Sequence, residues 1–488
     1  MGVFVKMRQI RYTFAMTRIY IKDLANYVGQ EVVIKGWVDV RRDQGKLIFF
    51  DFRDSSGKVQ GVILPNARAT HEVGSKLRSE WVVEVKGKIN QRPERNVQKE
   101  KLNGTIELEI LEIKILNEAE TPPFDIAGDG REINEEVRLK YRYVDLRRER
   151  MQKNLQNRHK AIQFIREFYT SEGFTEVETP LMTKSTPEGS RDYVVPSRLY
   201  NGKFYALPQS PQQYKQLLMA SGVDRYFQIA RCFRDEDTRG DRQPEFTQID
   251  IEMSFVVQED VMAVNEKMVT ELVQKLYPEK KIQQTPFPRL SYKEAMEKYG
   301  SDKPDLRKDK NDPNELAFCW VIDFPFFERT EEEKKDGKVI TPAGWTFTHN
   351  PFSAPKPEYI KDLMEGTNTG GIVAAQYDMV LNGCEAGGGG IRNHDPKALI
   401  KVFETMGYPM ERIEANFGHM LKALASGTPP HGGLAFGFDR LIMLLQNEPN
   451  IREIIAFAKT GEGRDPMMDS PAEIEPKQLR ELGIKLGK

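Results

Sequence analysis

The chain has 488 residues, of which 39% are hydrophobic and 30% charged, and its formal net charge at pH 7 is −1. This length allows more than one domain, and the near-zero charge restricts nucleic-acid contact to a local basic patch. The sequence shows no apolar run approaching the roughly 18 residues of a membrane span, no signal peptide and no cysteine pattern of disulfides or zinc sites. We therefore expect a cytoplasmic protein without membrane contact.

The N-terminal quarter of the chain predicts a small β-domain. Residues 1–16 end at Met16, a candidate second start, and are treated as an N-terminal extension. Between residues 17 and 120, five short runs rich in β-branched and aromatic residues alternate with Gly, Asn and Asp turns, with a helical segment around residues 67–78. This pattern predicts an OB-type barrel, a fold that commonly stacks single-stranded nucleic acid on aromatic side chains beside basic groups.

A surface for such stacking is predicted on the second run of the barrel. Phe49 alternates with Ile48 and Phe50, so one of the two aromatic residues belongs to the core and the other is available to a ligand. The residues proposed for this surface are Arg41, Arg42, Phe49, Arg53 and Gln60.

A linker separates the barrel from a second, larger domain. Residues 121–140 carry the Pro, Gly and acidic residues of a linker, so the second domain is expected over residues 141–488. Helical spacing predicts a helix from Leu155 to Ser171, and Gly173 is the residue that stops it. The following run, FTEVETPLMT, predicts an edge strand ending at Pro180. Taken alone, this helix and strand suit the core of a monomer.

Two polar segments follow. The first part of STPEGSRDYVV is rich in Gly, Ser and Pro and predicts a loop able to close over a ligand, with Glu188 as its contact. Gln212 and Lys215 are three residues apart at a helix start after Pro211, so they face one direction. Such residues on a helix are usually solvated.

Residues 225–255 predict two strands joined by a charged loop. Because side chains alternate with period two, each strand has an apolar and a charged face. The apolar faces carry Phe227, Ile229, Phe233, Ile249, Ile251, Met253 and Phe255. The charged faces carry Arg234, Glu236, Gln248, Asp250, Glu252 and Ser254. A solvated hairpin shows the same alternation. Here, however, Arg, Glu and Asp are concentrated where a packed α/β enzyme would hold its substrate.

The sequences FRDE and RQPEFTQIDIE in this segment resemble motif 2 of the class II aminoacyl-tRNA synthetases, in the form found in the bacterial aspartyl-tRNA synthetases. FTEVETPLMT is similar to motif 1, which forms the dimer interface of that family, and HGGLAFGFDRLIMLLQ is similar to motif 3. GWVDVRRDQGKLIFFDFRDSSGKVQ resembles the anticodon-binding domain. The resemblance implies an α+β fold, with an N-terminal OB-fold β-barrel and a catalytic domain whose mostly antiparallel sheet is flanked by helices.

The chain departs from the family pattern in two places. Typical bacterial members insert a whole domain where this chain has only RKDKNDPNELAFC, so the insertion is expected to be absent around residues 308–319. TFTHNPFSAP resembles a segment with paired histidines, but here the pair is His349 and Asn350, so only His349 carries over.

The resemblance implies a homodimeric aspartate–tRNA ligase that uses ATP, Mg²⁺, L-aspartate and tRNA(Asp). Two anions react, so the chemistry needs clustered positive charge more than a protein nucleophile. The implied catalytic residues are Arg234 on the α-phosphate, Glu236 orienting ATP and Arg440 on the γ-phosphate. The implied ATP-binding residues are Arg234, Asp235, Glu236, Gln243, Glu385, Gly437, Phe438, Asp439 and Arg440.

The implied aspartate-binding residues are Glu188, Gln212, Lys215, Arg234, Asp250, His349 and Arg392. Asp250, with Glu188 and Gln212, would take the substrate ammonium, whereas Lys215 and Arg392 would converge on its side-chain carboxylate. The alternative for Arg392 is that it only braces Asp250 or another carboxylate.

The implied Mg²⁺ ligands are Asp378 and Glu385, seven residues apart. Strict alternation along a strand would place them on opposite faces, so a bulge is needed, and Gly383 is the predicted place for it. On the barrel, the resemblance implies that Phe49 stacks on an anticodon base and that Arg42 and Gln60 contact neighbouring bases.

Three rival hypotheses remain open on sequence alone. The first is an asparagine-specific enzyme, and the second is a relaxed enzyme that charges both tRNA(Asp) and tRNA(Asn). The third is a non-catalytic OB-type RNA-binding protein with a relict synthetase domain, which the presence of Arg234, Glu236 and Arg440 disfavours.

Overall fold

The computed structural model describes residues 17–185, 189–330 and 343–487. The predicted extension over residues 1–16 and the predicted contact Glu188 therefore lie outside the described residues. The chain divides into two compact units, Met1–Gly128 and Asp129–Lys488. Among the described residues, no helix combines the length and the apolar character needed to cross a bilayer.

The first unit is a closed five-stranded barrel with the strand order β1-β2-β3-β5-β4. Its strands are β1 (Glu31–Gln44), β2 (Leu47–Asp54), β3 (Gly57–Ile63), β4 (Val82–Gln91) and β5 (Ile106–Asn117). A short helix, α1 (Arg68–Gly74), connects β3 to β4 within the segment predicted to be helical. The predicted OB-type barrel is confirmed.

The barrel core settles which aromatic residue of β2 points inward. Phe50 and Phe52 are fully buried, and their rings stack with centroids 5.4 Å apart. Phe49 lies between Ile48 and Phe50 in sequence, so its side chain points outward, where it is half-buried. The alternation along β2 therefore assigns Phe50 to the core and leaves Phe49 at the outer surface.

The second unit contains fourteen described strands. In chain order they are β6 (Thr175–Glu176), β7 (Val194–Pro196), β8 (Phe204–Ala206), β9 (Arg225–Phe233), β10 (Glu245–Ser254), β11 (Lys281–Ile282), β12 (Arg289–Ser291), β13 (Glu315–Leu316), β14 (Phe318–Ile322), β15 (Phe327–Arg329), β16 (Trp345–Phe347), β17 (Gln376–Leu381), β18 (Cys384–Ile391) and β19 (His431–Gly437). Eight of them form one sheet with the order β12-β14-β17-β18-β19-β10-β9-β6. Only the end pairs β12–β14 and β6–β9 of that sheet are parallel, so the mostly antiparallel sheet is confirmed.

Eleven described helices accompany these strands. They are α2 (Glu135–Lys140), α3 (Arg142–Asp145), α4 (Glu149–Ser171), α5 (Gln212–Ala220), α6 (Gln258–Leu276), α7 (Tyr292–Tyr299), α8 (Ile360–Glu365), α9 (Pro396–Thr405), α10 (Met410–Ala425), α11 (Phe438–Leu445) and α12 (Pro476–Leu482). Between α7 and β13, residues 300–314 form a short connector without helix or strand.

Helix α4 begins six residues before the predicted Leu155. Its first six residues contain one apolar side chain, Met151, which is too little for apolar spacing to indicate a helix there. Tertiary contacts hold them in place: Asn154 is buried and its amide donates to Glu448 Oε1 over 2.8 Å. The helix ends at Ser171, as predicted.

Strand β10 lies inside the large sheet between β9 and β19. Its apolar face, which includes Ile249, Ile251 and Met253, joins a buried cluster with residues of α4, α6 and α11. The opposite face is polar and is also buried. The expected place of Phe255 on the apolar face is wrong: it lies one residue beyond β10 with φ of 58° and is exposed, so the alternation ends before it.

Candidate active site

A cleft of about 370 Å³ opens over the polar face of β10. The first turn of α5, the loop after β9, the hairpin of β17 and β18, and the start of α11 complete its walls. The predicted site residues that line it are Gln212, Lys215, Arg234, Glu236, Gln243, Asp250, His349, Asp378, Glu385, Arg392, Gly437, Asp439 and Arg440. Residues far apart in sequence therefore meet in one cavity.

Two predicted ATP-binding residues are not among the residues that line the cleft. Asp235 lies between two cleft residues, Arg234 and Glu236, and its half-exposed carboxylate faces Arg191 at 3.5 Å. Phe438 is fully buried in the core, with the guanidinium of Arg158 4.7 Å from its ring centroid. The structure therefore assigns Phe438 to packing and brings its neighbours Gly437 and Asp439 to the cavity.

Helix α5 carries Lys215 into the sheet instead of into solvent. The Lys215 ammonium is buried 2.7 Å from Asp250 Oδ1 and 3.1 Å from Glu252 Oε2. Three residues earlier, Gln212 lies at the start of the same helix and donates to Gln216 Oε1 over 3.0 Å. The helical spacing thus points both residues toward β10.

Glu252 is a central residue that the sequence analysis did not select. Its carboxylate accepts two hydrogen bonds from Arg392, at 2.8 Å from Nε and 3.2 Å from Nη2, and it is fully buried. The alternation along the strand could have indicated Glu252, because it is two residues from Asp250 on the same face of β10. Gly433 on the adjacent strand makes room for it: a Cβ atom there would lie 2.0 Å from Glu252 Oε2.

These contacts make a charge-balanced cluster of Lys215, Asp250, Glu252 and Arg392, which we call the buried tetrad. Burial alone would raise the pKa of Glu252, but Arg392 and Lys215 outweigh it and lower that pKa to about 2. Burial raises the pKa of Asp250, and Lys215 offsets only part of the effect. Asp250 Oδ2 is buried and has no hydrogen-bond partner among the described residues, so this oxygen is available to a donor in the cleft.

The two predicted phosphate-binding arginines differ from the tetrad cations in their partners. Arg234 lies over the ring of Phe246 at 5.1 Å, and no carboxylate of the described residues is within ion-pair distance. Arg440 donates to the backbone oxygen of Glu385 at 2.6 Å and to the partly exposed Asp241 at 3.0 Å. Among the described residues, Arg234 therefore has no ionic partner, and that of Arg440 is partly exposed and replaceable.

Polar contacts hold the other predicted nucleotide residues. Glu236 contacts the Ser190 hydroxyl, and Gln243 accepts the Lys459 N–H over 2.8 Å. Asp439 accepts the Thr247 N–H over 2.8 Å and pairs with Arg158. These bonds hold the loop after β9 against Ser190 and Lys459, and they hold the start of α11 against β10 and α4.

Asp378 and Glu385 lie on neighbouring strands of a hairpin. A Cβ atom added at Gly388 would lie 2.8 Å from Asp378 Oδ1 and 3.4 Å from Glu385 Oε1, so both oxygens face one point above that glycine. Burial, followed by the charge of Glu385, raises the pKa of Asp378 well above its ordinary value. A pair of converging carboxylates with this mutual repulsion fits a divalent cation.

The predicted bulge at Gly383 is wrong. Asn382 and Gly383 form the hairpin turn, with φ values of 51° and 83° that suit this residue pair. The register instead shifts between Met379 and Val380, which pair with Gly387 and Glu385. Ala386 is therefore the extra residue, and the bulge lies in β18 next to Glu385.

His349 also lines the cleft, and its ring meets the Phe324 ring edge-on at 4.6 Å. Its neighbour Asn350, which replaces the second histidine of the family segment, lines the cleft as well.

On the barrel, the three predicted anticodon residues lie across adjacent strands. Arg42 on β1 is paired with Phe49 on β2, and Asp51 on β2 is paired with Gln60 on β3. Arg42 is exposed and binds both carboxylate oxygens of Asp51, at 2.7 and 3.0 Å. The expected place of Arg53 on this surface is wrong: it is buried and pairs with Glu80 at 2.6 Å, which fixes it inside the barrel wall.

Comparison with known families matches both units of the chain. The family model described as tRNA synthetases class II (D, K and N) matches residues 134–461. The model of an OB-fold nucleic acid binding domain matches residues 32–116.

Similar proteins cover almost the whole chain. It is 40% identical to an aspartate–tRNA(Asp/Asn) ligase of Rubrobacter xylanophilus, over 95% of this chain and 95% of that protein. It is 38% identical to an aspartate–tRNA ligase of Macrococcus caseolyticus, over 94% of this chain and 97% of that protein. The first alignment spans 585 positions, more than the 488 residues here, so that relative holds sequence that this chain lacks.

Solved structures share the fold at lower identity. A structure of asparaginyl-tRNA synthetase from Pyrococcus horikoshii, complexed with asparaginyl-adenylate, superposes with a TM-score of 0.72 at 22% identity. The match covers 95% of this chain and all of that chain. An aspartyl-tRNA synthetase from Entamoeba histolytica gives a TM-score of 0.69 at 22% identity, over 93% and 94% of the two chains.

The buried tetrad predicts a pH-dependent cost for losing Glu252. Since its folded-state pKa of about 2 lies below the ordinary 4.5, the carboxylate stabilises the fold fully above pH 4.5, and this contribution is lost as the pH falls toward 2. We expect Glu252→Gln to lower the free energy of unfolding by about 3 kcal/mol at pH 7, and by progressively less below pH 4.5.

Urea unfolding of both proteins at pH 7 and pH 3.5 measures this difference. Glu259→Gln removes a carboxylate from an exposed pair with Arg289 and serves as the control, with an expected change within about 0.5 kcal/mol. A cost for Glu252→Gln that stays the same at both pH values would contradict the tetrad as the source of its stabilisation.

Proposed function

The chain belongs to the class II tRNA synthetases for aspartate, lysine and asparagine, and we propose from this premise that its cleft makes aspartyl-adenylate from ATP and L-aspartate. With relatives at 38% and 40% identity over nearly its full length, the chain is an aspartate–tRNA ligase of the bacterial type. The aspartyl group then passes to the 3′ end of tRNA(Asp). The residue roles rest on one observation: the cleft joins a charge-balanced buried cluster to Arg234, which has no carboxylate partner among the described residues, and to Arg440, whose partner Asp241 is partly exposed.

Adenylate formation requires positive charge at the point of attack. An oxygen of the aspartate α-carboxylate forms a bond with the α-phosphorus of ATP, while the bond from that phosphorus to the β-phosphate oxygen breaks and pyrophosphate leaves. Arg234 holds the α-phosphate and spreads the charge that develops there. Its position over Phe246 without a carboxylate partner among the described residues supports this role, because no ion pair has to be broken.

Arg440 binds the γ-phosphate from the first turn of α11. An N-terminal turn favours anions, which makes a polyphosphate a suitable neighbour for this arginine. The phosphate would replace Asp241 as the ionic partner of Arg440. Glu236 and Gln243 orient the nucleotide from the loop after β9, and Asp439 does so from the start of α11.

Asp378 and Glu385 would hold Mg²⁺ at the polyphosphate. Their oxygens converge above Gly388, and the repulsion between the two carboxylates favours a cation there. When bound, the cation neutralises charge that develops on the leaving group. The two carboxylates would hold the cation, and Arg440 lies close to them because it donates to the backbone oxygen of Glu385.

The buried tetrad recognises aspartate. Asp250 accepts the substrate ammonium on Oδ2, the oxygen that has no partner among the described residues. Arg392 and Lys215 meet the side-chain carboxylate, with Glu252 holding both cations in place. Gln212 and His349 line the cleft and belong to the proposed aspartate-binding set, and Glu188 belongs to that set by resemblance alone.

A homodimer through motif 1 completes the proposal. Apolar side chains that support an interface lie exposed around the motif and the neighbouring hairpin of β7 and β8. They are Leu181, Met182, Val194, Leu199 and Phe204. The isolated bridge between Thr183 and Ala206 joins these two segments into one surface.

A second candidate function extends the tRNA range. Several relatives, including that of R. xylanophilus, are aspartate–tRNA(Asp/Asn) ligases, which favours an enzyme that also charges tRNA(Asn) with aspartate. Another relative is an aspartate–tRNA ligase. Separate charging of purified tRNA(Asp) and tRNA(Asn) distinguishes the two functions.

Loss of Arg234 should impair adenylate formation. We expect Arg234→Ala to lower aspartate-dependent ATP/pyrophosphate exchange, measured without tRNA, by about 100-fold or more, the usual scale for losing one charge-stabilising donor. Arg231→Ala removes a neighbouring arginine that pairs with Glu245 outside the cleft, and it should retain exchange. Exchange at the wild-type rate in Arg234→Ala would contradict the proposed role of Arg234 at the α-phosphate.

Loss of Arg392 should reduce the preference for aspartate over asparagine. Asparagine is nearly isosteric but turns an amide donor toward the tetrad cations, and breaking such a pair costs about 2 to 5 kcal/mol, or roughly 30-fold to several thousandfold. We expect Arg392→Gln to lower kcat/KM for aspartate and to shrink the aspartate-to-asparagine ratio. Arg392→Lys keeps the charge and should retain part of the ratio.

The alternative for Arg392 is that it only braces Glu252. In that case Arg392→Gln lowers kcat/KM for both amino acids equally, and the ratio stays constant. Melting curves of the variants separate loss of folding from loss of recognition.

Loss of Phe49 should impair tRNA charging alone. A lost base stack costs about 1 to 3 kcal/mol, so we expect Phe49→Ala to lower kcat/KM for tRNA by about five- to 150-fold while exchange without tRNA stays unchanged. Phe50→Ala is the matched control, because it opens the barrel core and should lower the melting temperature. Equal destabilisation by both variants would show that Phe49 acts in packing.

A further inference from the structure

The connector between α7 and β13 reaches the proposed cation site, although it belongs to none of the family motifs. A Cβ atom added at Gly383, in the turn of the β17–β18 hairpin, would lie 3.3 Å from Asp305 Cβ. Arg307 binds both oxygens of Asp305, at 2.8 and 3.0 Å, and stiffens the connector. From this braced segment Lys303 extends its ammonium to 3.2 Å from Glu385 Oε2.

The charges around this contact favour a cation there. Burial raises the pKa of Glu385, but Lys303, followed by Arg440, more than offsets it and lowers that pKa. Asp378 faces the same point above Gly388, and Asp302 in the connector adds negative charge nearby. Lys303 therefore neutralises part of a carboxylate pair that would otherwise repel itself.

We propose that Lys303 is a positioning residue for nucleotide and cation. Before ligands bind, its ammonium pairs with Glu385 and neutralises part of the charge of that carboxylate. When nucleotide and a divalent cation bind together, the ammonium leaves Glu385 and pairs with the polyphosphate. This inference rests on the metal and nucleotide roles proposed above. Lys303 lies outside the three motifs, and its change of partner couples the binding of the two ligands.

The coupling follows from electrostatics. An ammonium group and a divalent cation on one carboxylate repel each other, so a cation that arrives alone must displace Lys303 without compensation. A polyphosphate offers new acceptors to the displaced ammonium, so the same cation binds more readily with it. The Lys303 side chain is 35% exposed and has a flexible stem, which allows this change of partner. Each ligand thus raises the affinity for the other.

A purely structural role for Lys303 makes a different prediction. If the lysine only anchors the connector to the hairpin, its removal loosens the hairpin and weakens cation binding with or without polyphosphate. The coupling role requires effects of opposite sign: tighter binding of the cation alone and weaker binding of the polyphosphate.

Mn²⁺ binding, followed by electron paramagnetic resonance of the free ion, tests this in the full chain. We expect Lys303→Met to bind Mn²⁺ alone about threefold to tenfold more tightly than the wild type. With saturating Mg²⁺, calorimetry should show pyrophosphate binding about threefold to tenfold more weakly. Lys303→Arg keeps the charge and should resemble the wild type in both measurements. Lys267→Met removes a lysine that pairs with Glu172 outside the cleft and should change neither.

Two outcomes overturn the inference by itself. If Lys303→Met leaves both affinities unchanged, the lysine plays no part in the site. If it weakens both and lowers the melting temperature, the lysine is a structural anchor. Glu385→Gln separates the inference from its premise: unchanged Mn²⁺ binding in the presence of pyrophosphate would overturn the metal assignment and this inference together. Aspartate-dependent exchange remains an independent measure of the proposed reaction.

Discussion

The site depends on one electrostatic constraint. The two cations buried beneath the cleft, Lys215 and Arg392, must be neutralised and still be able to bind a substrate. Glu252 meets this constraint by contacting both Lys215 and Arg392, while Asp250 takes a share of Lys215. The rest of the catalytic unit makes this possible. The apolar face of β10 anchors the strand in the core, and Gly433 leaves space for the Glu252 carboxylate. Breaking a buried charge pair costs several kcal/mol, so the four residues act as one unit.

The opposite end of the cleft has a different electrostatic design. Arg234 rests on an aromatic ring without a carboxylate partner in the described chain, and Arg440 pairs with a carboxylate that is partly exposed. The end proposed to bind aspartate is balanced before substrate binds, so it can select by shape and charge. The end proposed to bind the polyphosphate keeps positive charge that an incoming anion can use. The two ends together suit a reaction that joins two anions.

Sequence alone gave both domains and the mostly antiparallel sheet, because these follow from strand patterning and from motif resemblance. It also placed Asp250 correctly on the polar face of β10, since alternation along a strand is a local property. Glu252 shared that signal, but its role depends on Arg392, which is 140 residues away in sequence. The position of the bulge in β18 and the reach of the Lys303 connector arise from contacts between distant segments, and local patterns do not encode them.

The most direct test of the central claim is a crystal structure with a non-hydrolysable analogue of aspartyl-adenylate. The buried tetrad predicts that Arg392 and Lys215 lie within hydrogen-bond distance of the aspartyl side-chain carboxylate, that Asp250 Oδ2 accepts the ammonium, and that Glu252 keeps its contact with Arg392. An aspartyl group whose side-chain carboxylate lies away from Arg392 and Lys215 would contradict the account.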